Sequence, residues 1–324
     1  MSAKLMSAET GQPPLDLSIV IPVYNSAEIL PALVARLEPV LAAAAPASEV
    51  ILVNDGSADG SWPAIVRLAA ANPRLRGIDL MRNYGQHNAL LCGIRAAAGR
   101  LVVTMDDDLQ HPPEEIPQLL AALTPESDVV YGVPERRQHG LFRDLASGLT
   151  KSVLKGTLGA GARTAPDVSA FRLFRTDLRQ AFARYEHPYV SIDVLLTWAT
   201  SRFTAVSVRH APRHSGRSNY TFRMLARHAV NLVTGFSVRP LKLASLIGFG
   251  ATLFGLGVLV YVVGRYLLQG TTVPGFPFLA SVIAIFSGAQ LFTLGIIGEY
   301  LARMHSRMME RPIYTVREEI GPDT

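Results

Sequence analysis

The sequence predicts an α/β fold, a doubly wound and mostly parallel sheet, followed by an amphipathic juxtamembrane helix and two transmembrane helices. Three observations carry this. Short apolar, β-branched runs alternate with helical segments from residue 17 to about residue 132. Polar clusters follow the first, second and fourth of these runs, at the carboxyl ends of strands where such sheets bind ligands. Near the C-terminus, residues 243–264 and 266–298 contain no Asp, Glu, Lys, Arg or His.

Taken in order, LSIVIPVY reads as a fully buried strand and the Ala/Leu-rich segment near residues 27–44 as a helix. EVILVND is a second strand and SWPAIVRLAAA a second helix. LRGIDLM is a third strand, with a helix from about Gln86 through Ala98. LVVTMD is a fourth strand, a helix begins after Pro112 and Pro113, and DVVYGV is a fifth strand.

Composition narrows the class. With 324 residues the chain has room for two domains, or one and an appendage. Hydrophobic residues make up 49% and charged residues 18%, below the roughly 25% usual for soluble domains. A simple soluble enzyme, a disordered chain and a disulfide-stapled domain are thereby excluded. Cys92 stands alone, so neither an intramolecular bridge nor a cysteine zinc finger can form. The net charge of +5 would permit nucleic-acid binding, but the basic residues cluster at membrane boundaries without aromatic interleaving, which speaks against it.

Lys242 and Arg265 bracket 22 uncharged residues. As a helix these extend about 33 Å, enough for a hydrocarbon core of about 30 Å. The second run, ending before Glu299, is long enough as well, and QGTTVPGFP between them suits a tight connection. Arg223, Arg227, Arg239 and Lys242 precede the first span, and Arg303, Arg307 and Arg311 follow the second. By the positive-inside rule both termini and the large N-terminal part face the cytoplasm. Phe222, Leu225, Ala229, Leu232, Val233 and Phe236 recur at helical spacing with Arg223 and Arg227 off that stripe. Such a helix lies in the headgroup region or packs on the N-terminal domain.

The polar clusters are Pro22-Val23-Tyr24-Asn25 with Glu28, then NDGSADGS at 54–61, then MDDDLQHPPE at 105–114. Three acidic clusters at one sheet edge would repel each other unless a divalent cation and a donor-rich ligand lie between them. Asp106 and Asp108 point one way along a strand-to-turn segment and Asp107 another. With the amide oxygen of Gln110 they form a hard-oxygen set suited to Mg²⁺ or Mn²⁺. A solvated acidic turn is the plain alternative, which the place of this cluster after a buried strand argues against. NDGSADGS reads equally as a simple turn or as placing Asp55 to accept from a nucleotide. There is no Walker A sequence and no G-x-G-x-x-G after the first strand, so phosphate-loop hydrolysis and dinucleotide redox chemistry are poorly supported. His87, His111 and His214 lack metal-ligand spacing and read as polar or core residues, and Trp62 and Trp198 as structural.

Taken together, VIPVYN, VNDGSADGS, RNYGQHNAL, MDDDLQHPPEEIP, DVVYGVPERR, VSAFRLFR, RHSGRSNYTF and GEYLARMHSRMMERPIY resemble a family-2 glycosyltransferase of the GT-A fold. The pattern is that of the membrane-anchored polyprenyl-phosphate glycosyltransferases, the dolichol-phosphate mannose synthases and undecaprenyl-phosphate sugar transferases, and it covers roughly residues 16–318. The resemblance implies a metal-dependent, inverting transfer of a sugar from a nucleotide-sugar, commonly a UDP-sugar, to a polyprenyl phosphate, here undecaprenyl phosphate. It implies a cell-envelope role at the cytoplasmic leaflet of a bacterial inner membrane. Pro22, Tyr24, Glu28 and Asp55 match nucleotide-contacting positions, Asp106 and Asp107 lie by ribose and diphosphate, and Asp108 and Gln110 hold the metal. On the acceptor side Arg136 or Arg137, then Arg143 and Ser147 on one helix face, then Arg213, match lipid-phosphate positions. A solvated basic loop is the alternative for Arg136 and Arg137. Asp167 matches an acidic residue that acts as base or orienter, completing a catalytic set with Asp106 and Asp108. Asn219 departs from the Lys of many relatives and carries no role.

The expected organisation is a disordered N-terminus at 1–15, a cytosolic domain at 16–218, the juxtamembrane helix at 219–241 and spans at 242–268 and 278–301. A periplasmic loop lies between the spans, and a cytoplasmic tail at 302–324 carries a short strand. That strand could pair with its own sheet or a neighbour's, and related enzymes form tetramers, so a homo-oligomer is in view. Two competing readings are a processive polysaccharide synthase, disfavoured by only two spans and no Q-x-x-R-W motif, and an inert sugar-nucleotide sensor, disfavoured by the intact Asp106, Asp108 and Gln110.

Overall fold

The computed structural model describes residues 15–134, 168–187, 190–211, 239–269, 275–309 and 311–322. They form two compact units, Met1–Leu225 with Pro312–Thr324, and Ala226–Arg311.

In the first unit the apolar runs become β1 (Leu17–Val23), β2 (Ser48–Asn54), β3 (Leu75–Leu80), β4 (Leu101–Thr104) and β5 (Val129–Pro134). Three further strands are β6 (Arg172–Arg175), β7 (Phe203–Val208) and β8 (Val316–Ile320). All eight lie in one sheet, in the order β7-β5-β6-β4-β1-β2-β3-β8. The pairs β1/β2, β1/β4, β2/β3 and β5/β7 are parallel. β6 is antiparallel to β4 and β5, and β8 is antiparallel to β3. The sheet is thus mostly parallel and mixed. The tail strand pairs with its own chain, the first of the two options the sequence leaves open.

Helices α1 (Leu30–Ala44), α2 (Ser61–Ala71), α3 (Gln86–Ala96), α4 (Ile116–Ala122) and α5 (Ile192–Ala199) cover both faces. Strand residues alternate between these faces, as a period of two requires. Ile19, Ile21, Val50 and Leu52 pack with Leu33 and Leu37 of α1, Ile65 of α2 and Leu119 of α4. Val20, Ile51 and Val53 pack with Leu91 and Ile94 of α3 and Leu195 of α5. The α2 segment falls where its pattern places it. The helix of α1 starts at Leu30 because the amides of Asn25, Ser26 and Ala27 are bound to Ser57, Ser61 and Asp59 of another loop. The helix of α3 stops at Ala96, where the Ala98 amide donates to Glu49 (2.7 Å) and Arg179 donates to the Ala97 carbonyl (2.6 Å).

The second unit is a pair of helices, α6 (Arg239–Gln269) and α7 (Phe276–Met308). Leu241–Leu268 and Ile285–Ala302 are long and apolar enough to cross a membrane, with mean hydropathies of 2.2 and 1.3. The two pack closely at Gly255, where an added Cβ would lie 2.5 Å from the Phe286 ring.

One buried polar cluster anchors the start of β6. Arg172, 2% exposed, is ion-paired with Asp193 of α5, and the Tyr131 hydroxyl donates to the same carboxylate (3.0 Å). Burial, with the Asp193 charge beside it, pushes the Tyr131 phenol well above its ordinary value, so it stays a neutral donor. Removing one partner of a buried pair strands the other charge. Asp193→Ala is therefore expected to destabilise the protein by about 3–5 kcal/mol, read as a fall in the denaturation midpoint of the detergent-solubilised chain.

Candidate functional site

β1 has a neighbour on each side, and its register brings the three polar clusters to the same end of the sheet. Val23 lies opposite Asn54, Asn54 opposite Asp79, and Val20 opposite Thr104. The segments after β1, β2, β3 and β4 therefore emerge together. β4 stops at Thr104 while β1 runs on to Val23, and the last ladder bond on that side joins the Met105 amide to the Val20 carbonyl. Alternation directs the polar edge of residue 22 to the same side, beyond the end of β4. Pro22, which has no N–H, leaves no donor unsatisfied there. The acidic turn follows at this end of β4.

The loops after β1 and β2 are laced to each other. The Asn25 amide donates to Ser57 Oγ (3.0 Å) and the Ala58 amide to Asn25 Oδ1 (2.9 Å), with Asn25 in the left-handed region at φ 53°. The Ser26 amide donates to Ser61 Oγ (2.9 Å) and the Ala27 amide to Asp59 Oδ2 (3.1 Å). Burial opposes the Asp59 charge, but hydrogen bonds from Ser61 and Ala27 outweigh it and hold the carboxyl below the usual carboxylate range. The repeated Asp-Gly-Ser of NDGSADGS is thus spent on fastening two loops. It leaves Tyr24, 52% exposed, and Glu28 at the surface, while Pro22 is buried within β1.

Asp55 is held from within the protein. It is 3% exposed, and its two carboxylate oxygens accept the Tyr84 amide (2.7 Å) and the Gly85 amide (2.8 Å). Burial pushes its carboxyl up and the two amides oppose the shift. Asp55 therefore holds the loop after β3. That loop carries Arg82, whose guanidinium lies 4.8 Å above the Tyr84 ring, and Gln86.

The acidic turn is half-buried. Asp106 accepts a hydrogen bond from Gln86 Nε2 (2.6 Å). Hydrogen bonding toward Ser26 and Tyr24 works to lower the Asp107 carboxyl. Burial nevertheless pushes the Asp107 carboxyl up, and the neighbouring Asp108 charge adds to this. Asp108 Oδ1 accepts the Gln110 amide (3.1 Å) across Leu109, which takes φ 58°. Two carboxylates and an amide side chain thus share one tight turn.

Sequence pattern missed Gln86, whereas His111 is a buried residue, in keeping with its reading as a polar or core side chain. His111 follows Gln110, is buried, stacks on Phe171 with centroids 5.4 Å apart and meets His210 edge-on at 5.1 Å. Burial, with His210 beside it, pushes its imidazole down to about 4, so it is neutral at pH 7. Its Nδ1 is buried without a hydrogen-bond partner among the described residues. The QHP spacing marks the residue, but nothing in the sequence says that Phe171 and His210 would close over it. Next to it, the Ala211 amide donates to the Gln110 carbonyl (2.9 Å). Asp167, Arg136, Arg137, Arg143, Ser147 and Arg213 lie outside the described residues, as do His214 and the juxtamembrane stripe. Among the described residues, no three acidic, His or Cys side chains converge as a metal cage.

Gly56 (φ +63°) is the closest contact of the site: an added Cβ would stand 2.4 Å from both Arg82 C and Asn83 N. Alanine is strained at such a φ whatever the space. Gly56→Ala is expected to cost more than about 1 kcal/mol and to push the Arg82–Gly85 loop off Asp55. Thermal unfolding reads it, and an unchanged midpoint would mean that the loop is not held against this turn.

Comparison with known proteins agrees with this geometry. The Glycosyl transferase family 2 model matches residues 18–180. The chain is 35% identical over 312 residues to the undecaprenyl-phosphate 4-deoxy-4-formamido-L-arabinose transferase of Salmonella choleraesuis (strain SC-B67), covering 95% of this chain and 94% of that one. The corresponding transferase of Salmonella paratyphi B (strain ATCC BAA-1250 / SPB7) matches equally. Among solved structures, glucosyl-3-phosphoglycerate synthase from Mycobacterium tuberculosis with phosphoglyceric acid aligns with a TM-score of 0.52 at 16% identity, over 73% of this chain and 84% of that chain. The same synthase with Mn²⁺, UDP-glucose and phosphoglyceric acid aligns with a TM-score of 0.50 at 16% identity, over 72% of this chain and 82% of that chain. Those two likenesses carry the GT-A fold. The family model and the full-length identity carry the rest: the chain belongs to glycosyl transferase family 2 and is a glycosyltransferase, similar along nearly its whole length to undecaprenyl-phosphate sugar transferases.

Proposed function

We propose that the protein moves a sugar, with inversion, from a nucleotide-sugar of the UDP class to undecaprenyl phosphate at the cytoplasmic leaflet of a bacterial inner membrane. The observation that carries this is the acidic turn Asp106–Gln110, held at the carboxyl end of β4 in a chain that also has two apolar helices of spanning length. The full-length likeness to undecaprenyl-phosphate transferases supports the acceptor, and the synthase solved with Mn²⁺ and UDP-glucose supports the donor and the metal.

The residues fit a hard divalent cation. Asp108 and Gln110 offer oxygen donors from one turn, and Mg²⁺ or Mn²⁺ commonly uses one or two carboxylates with substrate phosphates and water completing the shell. Burial and the crowding of Asp107 against Asp108 favour a cation there. When bound, the ion supplies Lewis-acid stabilisation of the departing diphosphate. The chain itself must orient the reactants. Tyr24, Glu28 and the loop held by Asp55 line the nucleotide side, and Asp106 and Asp107 lie toward ribose and diphosphate.

A lipid phosphate is already anionic at pH 7, so its oxygen attacks the anomeric carbon as the bond to the nucleotide diphosphate breaks and the electron pair leaves with that diphosphate. No proton need be removed, and the demand for a strong base is small. The main task is to hold the phosphate in line. Arg136, Arg137, Arg143, Ser147 and Arg213 are assigned to this, with Asp167 as orienter or base. The described chain supports their place. β5 ends and β6 begins at the edge that bears the acidic turn. Ala211 bonds the Gln110 carbonyl two positions before Arg213. The return of β8 to the same sheet supports an even number of crossings, with residues before α6 and after α7 on one side of the bilayer.

The test is transfer of radiolabelled sugar from a panel of nucleotide-sugars to undecaprenyl phosphate in detergent. Metal-dependent glycolipid is expected, abolished by a chelator and reduced at least about 100-fold in Asp108→Ala. Binding of donor without transfer to any polyprenyl phosphate would overturn the acceptor assignment, and no binding of any nucleotide-sugar would overturn the donor assignment.

A further inference from the structure

β8 does more than cover an edge. It grips the start of the loop that Asp55 holds. The Met81 amide donates to the Thr315 carbonyl (2.9 Å) and Arg317 Nη2 donates to the Met81 carbonyl (2.9 Å), so Met81 is bound on both polar groups by the tail. Arg317 Nη1 also donates to Asp79 Oδ2 (3.1 Å). Asp79 is 2% exposed, and its other oxygen accepts from Asn54 Nδ2 (2.7 Å). Asn54 is followed by Asp55, which binds the Tyr84 and Gly85 amides, and the next residue, Gln86, donates to Asp106.

The loop Met81–Gln86 is thus fastened at its start by β8, in its middle by Asp55 and at its end by the acidic turn. Among the described residues, the fork that joins the first point to the buried Asp79 is the guanidinium of Arg317. A lysine could neutralise Asp79 but could not reach both acceptors with the rigid two-donor geometry of arginine. We propose that Arg317 is a positioning residue for donor binding: from the C-terminal strand it sets the Met81–Gln86 loop and, through Gln86, the carboxylate of Asp106. The role in donor binding rests on the transferase reading above. Arg317 is itself more than half exposed, so its loss removes no core packing.

The experiment uses the full chain in detergent, as wild type, Arg317→Ala and Arg317→Lys. Amide exchange is followed in peptides covering residues 82–87 and, as a control, α1. Steady-state KM is measured separately for the nucleotide-sugar and for undecaprenyl phosphate. Arg317→Ala is expected to speed exchange at Tyr84 and Gly85 about tenfold while α1 is unchanged, and to raise the donor KM about 5- to 10-fold with the acceptor KM unmoved. Arg317→Lys should fall between wild type and alanine in both readouts. Unchanged exchange at Tyr84 and Gly85 would overturn the proposal. So would a parallel rise of both KM values with faster exchange throughout the domain, which is the mark of a merely structural residue. Exchange needs no substrate, so a wild type that transfers no sugar would overturn the transferase reading and the donor role, while exchange still decides the coupling of Arg317 to the loop.

Discussion

The hydrogen-bond ladders on the two sides of β1 are the constraint from which the site follows. Parallel register on both sides brings the ends of β1, β2 and β3 to one level and the end of β4 to the same side of the sheet, three residues short. Because β1 is buried on both faces, a one-residue slip would exchange its two apolar faces against different helices, so the register is strongly fixed. β4 is the shorter neighbour, and its early end frees the chain to turn at Asp106–Gln110 beside the still-extended β1. The loops are then fastened to one another by side-chain acceptors for backbone amides, from Ser57, Ser61, Asp59 and Asp55. Few of these polar residues are free to act on a ligand because most are occupied with holding the residues that do.

The proposed chemistry brings two anionic reactants to an edge that already carries three aspartates. Repulsion of that size would defeat binding in the absence of compensating positive charge. In the proposed reaction, a cation at Asp108 and Gln110 would answer it on the donor side and the arginines assigned to the acceptor would answer it on the other. Neutral His111 sits beside this field without adding to it, pressed between Phe171 and His210, and its contribution is the shape of the wall behind the turn.

Much of the fold was legible in the sequence because it depends on local pattern. The first five strands and the helices between them follow from apolar runs and from breaks at Pro and Gly, and the SWPAIVRLAAA helix begins and ends where its pattern does. The acidic turn was legible because DDDLQ is dense and follows a buried strand. What escaped was long-range. β6 enters between β4 and β5 in the antiparallel sense, and no period in VSAFRLFR says which neighbours it takes. Asp55 looks equally like a ligand contact or a loop anchor until the Tyr84 and Gly85 amides are placed on it. Gln86 and Arg317 gain their meaning from partners 20 and 238 positions away, a separation across which composition carries no signal.

The place of β8 also bears on how the molecule is made. Translation delivers the N-terminal strands first, and β3 remains an outer strand until residues 316–320 follow, after both apolar helices. An open strand edge is a template for pairing with other chains, and here it also leaves the buried carboxylate of Asp79 without its guanidinium. A chain interrupted anywhere before residue 312 would keep that edge bare, marked for proteases and for aggregation. The final strand seals the sheet only in molecules whose membrane helices have already been synthesised, so the order of the chain ties completion of the globular domain to production of its anchor.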